Sequence, residues 1–188
     1  MWPVLCFLHG YDEGPPTALH EGLTRHGPLR SGCDAAGSDR FLVVAPQLPV
    51  RGDLWASHAD AVRETVQQVQ ALHGGDPART YLTGFSYGGS GVFDLALLRQ
   101  DMWAALWPVD PTRVPVTDPG LPVWLSSGAL SRRAEDAFVR RLRLLPPGDG
   151  PASDRVLVDD GADHVGTATR AYCDARIYDW LLARRARH

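Results

Sequence analysis

Apolar residues in this chain come in short continuous runs separated by longer stretches of mixed character. Pro3 to Leu8, Phe41 to Ala45 and Pro122 to Ser126 read as strands buried on both faces, because their apolar runs are continuous. Further strands are predicted over 79–83, 104–109 and 155–158. The intervening segments carry helical spacing instead. Val62, Val66, Val69 and His73 recur on one face of a helix over 54–73, which Gly74-Gly75 stops. Helices are also predicted over 17–26, 89–98 and 132–145. A C-terminal helix is expected to place Cys173, Ile177, Trp180 and Leu181 on one face. Strand and helix alternate from end to end, which predicts an α/β fold: about six parallel strands flanked by helices. There is no internal repeat or interdomain linker, so residues 1–188 are expected to form one domain.

One junction between strand and helix carries chemistry. Gly84-Phe85-Ser86-Tyr87-Gly88 is a G-x-S-x-G sequence, preceded by the β-prone Arg79-Thr80-Tyr81-Leu82-Thr83 and followed by an apolar helical run to Leu98. An abrupt strand-to-helix turn exposes the serine hydroxyl and aims helix N-terminal amides at a developing anion. Ser86 is the expected nucleophile. A free hydroxyl is a poor nucleophile near neutral pH, so a base is required. Of the seven histidines, His164 follows the last predicted strand in a Gly/Asp-rich loop, at the carboxyl end where α/β sites assemble. His20, His26 and His188 read as solvated side chains.

Composition removes other function classes. Hydrophobic content of 44%, charged content of 22% and a net charge of −3 describe an ordinary globular chain without a basic face for nucleic acid. All 19 cationic side chains are Arg, which excludes lysine as base or Schiff-base residue. Cys6, Cys33 and Cys173 lack metal-ligand spacing and are odd in number, which predicts reduced thiols and a cytoplasmic protein. The N-terminus has no basic region followed by an apolar run, so neither signal peptide nor membrane anchor is expected. No metal cluster or phosphate loop is apparent, and no cofactor is implied.

Leu8-His9-Gly10 after the first strand, Pro46-Gln47 after the second, the elbow at 84–88, Gly161-Ala162-Asp163-His164, and Ala171-Tyr172 through Tyr178-Asp179-Trp180-Leu181-Leu182 occur in this order. With them the chain resembles the α/β-hydrolase superfamily, and more closely the small bacterial carboxylesterases related to feruloyl-esterase-like and phospholipase/carboxylesterase enzymes. The resemblance implies a minimal α/β-hydrolase fold that begins at the family's third strand and lacks the usual first two. It implies a serine hydrolase of small acyl esters or thioesters working through a Ser86 acyl-enzyme with His164 as base. His9 would brace the oxyanion loop, and the backbone amides of Tyr11 and Tyr87 would form the oxyanion hole. Two other readings stay open: an acyltransferase or lactone-forming cyclase using the same acyl-enzyme, and a non-catalytic binding protein on this fold.

The triad acid is where the chain departs from the pattern. The family places Asp three residues after a His-Gly at the end of the strand before the last. Ser127-Gly128 and Ser131 stand there instead, and serine cannot carry the charge that stabilises an imidazolium. Asp110 ends the neighbouring strand and is the preferred acid. Glu135 and Asp136 fall on a helix, whereas Asp159, Asp160 and Asp163 lie too near His164 in sequence. A Ser–His dyad is the remaining option. Only a short connection links Asp110 to the next strand, so no lid domain is expected. The open site should be walled by Tyr11, Trp55, Tyr87 and Trp107, with Trp55 and Tyr11 contacting a small-molecule acyl substrate.

Overall fold

Alternate residues of each strand feed two separate cores, and that division orders the whole molecule. In the computed structural model, which describes residues 1–33, 37–146 and 153–186, β1 (Trp2–Leu8) sends Val4, Cys6 and Leu8 to one face and Leu5 and Phe7 to the other. The remaining strands are β2 (Leu42–Val44), β3 (Gly75–Phe85), β4 (Ala105–Val109), β5 (Val123–Ser127) and β6 (Arg155–Asp159). They form one six-stranded sheet in the order β2-β1-β3-β4-β5-β6, and every pairing is parallel. On the first face lie Val62 and Val66 of α2 (Ala59–His73), Val92 and Phe93 of α3 (Tyr87–Leu98), and Phe138 and Leu142 of α4 (Glu135–Leu142). The second face takes Ala168, Ala171 and Tyr172 of α5 (His164–Tyr172) and Ile177, Tyr178, Trp180 and Leu181 of α6 (Ala175–Leu182). A short helix α1 (Leu19–Arg25) follows the turn after β1.

The predicted elements are all present, with shifts at their ends. β3 reaches back to Gly75, since Trp2 pairs with Gly75 across a register shift and Asp76 turns inward to accept from the Ala78 amide and the Arg79 guanidinium. The expected single C-terminal helix is two. α5 ends at Cys173, and Asp174 caps α6 by accepting from the Arg176 amide at 3.0 Å.

Cys173 is therefore not on a helical face, and neither it nor Cys33 is a thiol. The two form a disulfide with their Cα atoms 4.8 Å apart across a sequence separation of 140 residues. Spacing along the chain could not reveal this, because it depends on α5 packing its end beside the loop before β2. The expectation of reduced thiols is corrected, and the cytoplasmic placement loses its cysteine argument. Cys6 remains a free thiol, buried in the core, where desolvation pushes it up to about 12. Among the described residues no helix is long and apolar enough to cross a membrane.

Thiol titration of the denatured, unreduced protein should return one reactive thiol per chain, that of Cys6. Three thiols would contradict the Cys33–Cys173 bond.

Candidate active site

β3 ends at Phe85 and α3 begins at Tyr87, so a single residue, Ser86, makes the turn. It does so at φ 57° and ψ −114°, a strained conformation for a residue with a Cβ. The turn is possible because its neighbours are glycine. A Cβ on Gly84 would lie 2.4 Å from the Gly88 carbonyl oxygen, and one on Gly88 would lie 2.0 Å from that of Leu8. Ser86 donates its amide to the Val109 carbonyl at 2.9 Å, which ties the elbow to the end of β4.

His164 is the first residue of α5 rather than a loop residue, and Asp163 is the cap, accepting from the Gly166 amide at 2.7 Å. The imidazole bridges two groups. Its Nδ1–H donates to Asp110 Oδ2 at 2.6 Å, which leaves Nε2 to accept from Ser86 Oγ at 2.9 Å. Phe85 stacks on the ring at 4.5 Å between centroids and restricts its rotation. The structure thus brings Ser86, His164 and Asp110 together in one hydrogen-bonded line.

Asp110 follows β4 with φ 39° and is fully buried. Its Oδ1 accepts from the Ser131 amide and hydroxyl, both at 2.8 Å, and from the Gly128 amide at 3.1 Å; the Leu130 amide donates to the carboxylate at 3.2 Å. Burial by itself raises this carboxyl, yet the bonds from His164, Ser131 and Leu130 outweigh it and hold Asp110 below the ordinary range. Gly128 makes room, since a Cβ there would sit 2.7 Å from the carboxyl carbon. Ser131, which stands where the acid is expected, is a donor to Asp110, and nothing in the sequence signals that role. The other carboxylates are engaged elsewhere: Asp159 with Arg132, Asp160 beside Arg170, and Glu135 and Asp136 in the first turn of α4.

Tyr11 opens a 3-10 turn, Tyr11–Glu13, after β1, and Tyr87 heads α3. An amide at the head of a helix has no acceptor within that helix. His9 sits beneath the turn. Its Nε2 accepts from the Leu48 amide at 3.0 Å, so the proton lies on Nδ1, which donates to the Gly10 carbonyl at 2.7 Å. Burial lowers this imidazole from its ordinary range, so it braces the loops as a neutral ring. The Tyr11 ring is half-exposed and meets the Tyr87 ring edge-on, while the Tyr87 hydroxyl donates to the Asp53 carbonyl at 3.0 Å.

Two expected wall residues are elsewhere. Trp55 is buried against His9 and the small Gly91, where a Cβ would come within 2.6 Å of the indole. Its place is the core, not a substrate contact. Trp107 is also buried, its ring packed at a tilt against Tyr172 and its indole N–H donated to Ser126 Oγ at 3.2 Å. His26 is not a solvated residue, as its ring packs on Phe85 and faces Glu13. His188 lies outside the described residues. Residues 110–122, between β4 and β5, contain no helix, and no lid covers the site among the described residues.

No family model and no curated protein sequence matches the chain. Solved structures do match. A thermostable esterase superposes with a TM-score of 0.74 at 18% identity, over 98% of this chain and 55% of that one. The chain has the α/β-hydrolase fold. Substrate-bound FphF, a fluorophosphonate-binding serine hydrolase of Staphylococcus aureus, superposes at 0.67 with 15% identity, over 97% of this chain and 85% of that one. FrmB, an S-formylglutathione hydrolase of Staphylococcus aureus, gives 0.67 at 16% identity, over 96% and 81%. This chain spans little more than half the length of the thermostable esterase.

Gly88→Ala forces α3 away from β1 and should cost about 3 kcal/mol or more, the upper range for overpacking. Urea unfolding measures this, and an unchanged midpoint would contradict the close approach of Gly88 to Leu8.

Proposed function

We propose that the protein is a serine hydrolase of small acyl esters or thioesters, acting through a Ser86 acyl-enzyme. The observation that carries this is the double engagement of His164, 2.9 Å from Ser86 Oγ and 2.6 Å from Asp110. As Ser86 Oγ attacks the acyl carbon, its proton passes to His164 Nε2. The resulting imidazolium is stabilised by Asp110, which stays ionised in its cradle of amides. The amides of Tyr11 and Tyr87 receive the oxyanion. His164 then protonates the departing alcohol or thiol, and water activated by the same imidazole releases the acid.

Substrate size follows from the surroundings. Among the described residues no lid covers the site, and its rim carries the Tyr11 and Tyr87 rings, with the Arg51 guanidinium 4.9 Å above the Tyr11 ring. An open aromatic rim suits a short acyl group, including aryl esters, better than a long lipid. Open access for water favours hydrolysis over acyl transfer or ring closure. The strained serine and the buried, satisfied Asp110 speak against a binding protein, because neither serves packing.

A fluorophosphonate should add to wild type at Ser86, read by intact mass, and Ser86→Ala should abolish the adduct. No adduct on the folded wild type would overturn the proposal. Asp110→Asn should lower kcat on p-nitrophenyl acetate by roughly 10²- to 10⁴-fold, by favouring the wrong tautomer of His164. Asp136→Asn should stay within about twofold of wild type, as expected for a surface change. An Asp110→Asn protein of near wild-type rate would remove Asp110 from the mechanism.

A further inference from the structure

Glu13 is a buried carboxyl that the mechanism above leaves unused. Only 2% of the residue is exposed, and it closes the turn that begins at Tyr11. Its Oε2 accepts from the Gly10 amide at 2.5 Å, while its own amide donates to the Gly10 carbonyl at 3.4 Å. Both bonds span Tyr11, so they fix the direction in which the Tyr11 N–H points. The turn is held from outside as well: Gln47 Nε2 donates to the Glu13 carbonyl at 2.9 Å, and Gly22 lies so close that a Cβ there would be 2.3 Å from the same oxygen. Gly10 stands between this carboxyl and the nucleophile, for a Cβ placed on it would meet Glu13 Oε2 at 3.1 Å and Ser86 Cβ at 3.5 Å.

The second carboxyl oxygen faces His26. Oε1 is 3.6 Å from His26 Nε2, the His26 ring packs on Phe85 at 5.1 Å, and Phe85 stacks on His164. One side chain therefore bonds to the turn that would receive the oxyanion and, through His26, backs the Phe85 ring that stacks on His164.

We propose that Glu13 is a positioning residue for acyl transfer, using its hydrogen bond from the Gly10 amide to hold the Tyr11 amide on the oxyanion. The proposal rests on the serine-hydrolase reading of Ser86. Such a contact comes at a cost to the fold. Desolvation pushes Glu13 up to about 7, against the opposing pull of the Gly10 amide, Arg25 and His164, with Asp12 adding to the rise. His26 offers no compensating charge, because burial, Arg25, Arg30 and His164 lower it to about 4. Tyr172, which also feels the Glu13 charge, stays protonated because burial raises it well above its ordinary value. A folded-state value above the unfolded one means that Glu13 favours the fold below about pH 4.5 and loses that contribution as pH rises through about 7. A residue kept at such expense, bonded to the Gly10 amide beside the serine turn, fits a task in the site.

The test compares Glu13→Asp, Glu13→Gln and wild type on p-nitrophenyl acetate. Glu13→Asp keeps the carboxyl but withdraws it from the Gly10 amide by one methylene, and should lower kcat about 10- to 100-fold with KM little changed. Glu13→Gln retains an acceptor of the same reach, so its kcat should stay within about threefold of wild type, and its melting temperature should rise relative to wild type more at pH 8 than at pH 5. A folded Glu13→Asp protein with wild-type kcat overturns the proposal, as does a Glu13→Gln protein as impaired as Glu13→Asp. Wild type that turns over no ester and takes no fluorophosphonate is a different failure, that of the Ser86 reading itself.

Discussion

The backbone of Gly88 approaches the end of β1 so closely that one methyl group would sit 2.0 Å from the Leu8 carbonyl oxygen. The whole site depends on that contact. It locks the first turn of α3 onto the strand that leads into His9, Gly10 and Tyr11, so the serine turn and the Tyr11 turn cannot drift apart. The parallel pairing of β1 with β3, carried through to Leu8 and Gly84, brings the two strand ends level. The strain at Ser86 is offset by this surrounding packing, because a buried sheet with a core on each face holds the strand ends rigidly.

Asp110 illustrates how one geometric requirement can be met from a different strand. β4 pairs with β3 through Phe85↔Val109, which places the residue after β4 beside the elbow. A carboxylate there must be buried, and burial alone would neutralise it. The backbone of 128–131, at the end of β5, supplies the amides that keep it ionised, with the Ser131 hydroxyl completing the set. The position at which the sequence resemblance leads one to expect the acid, at the end of β5, contributes donors to Asp110 on the neighbouring strand instead. The imidazole of His164, at the head of α5, is oriented by Asp110 on one side and by Phe85 on its face.

Much of this arrangement was legible in the residues themselves. Uninterrupted apolar runs marked the strands, and Gly84 and Gly88 around Ser86 marked the elbow, since both features follow from local sterics. Asp110 and His164 were legible as residues at strand ends. Their distance from one another was not, because register between β3, β4 and β5 is a tertiary property. Trp55 was ambiguous for a similar reason: an aromatic after a polar loop reads as a rim residue, and only the absence of a side chain at Gly91 gives it a place inside. The Cys33–Cys173 bond and the inward turn of Glu13 and His26 rest on packing between segments far apart in the chain, which no local pattern carries. Asp163 before His164 was a readable helix cap, and it would have placed His164 on α5 rather than in a loop.

The central claim is that the strand ends converge on one reacting atom held between Ser86, His164 and the amides of Tyr11 and Tyr87. A crystal structure of the phosphonylated protein tests it most directly. The account predicts phosphorus on Ser86 Oγ, with the phosphonyl oxygen about 2.7–3.1 Å from both amides and His164 still bonded to Asp110. A phosphonyl oxygen turned into solvent, away from both amides, or phosphorus on another residue, would contradict it.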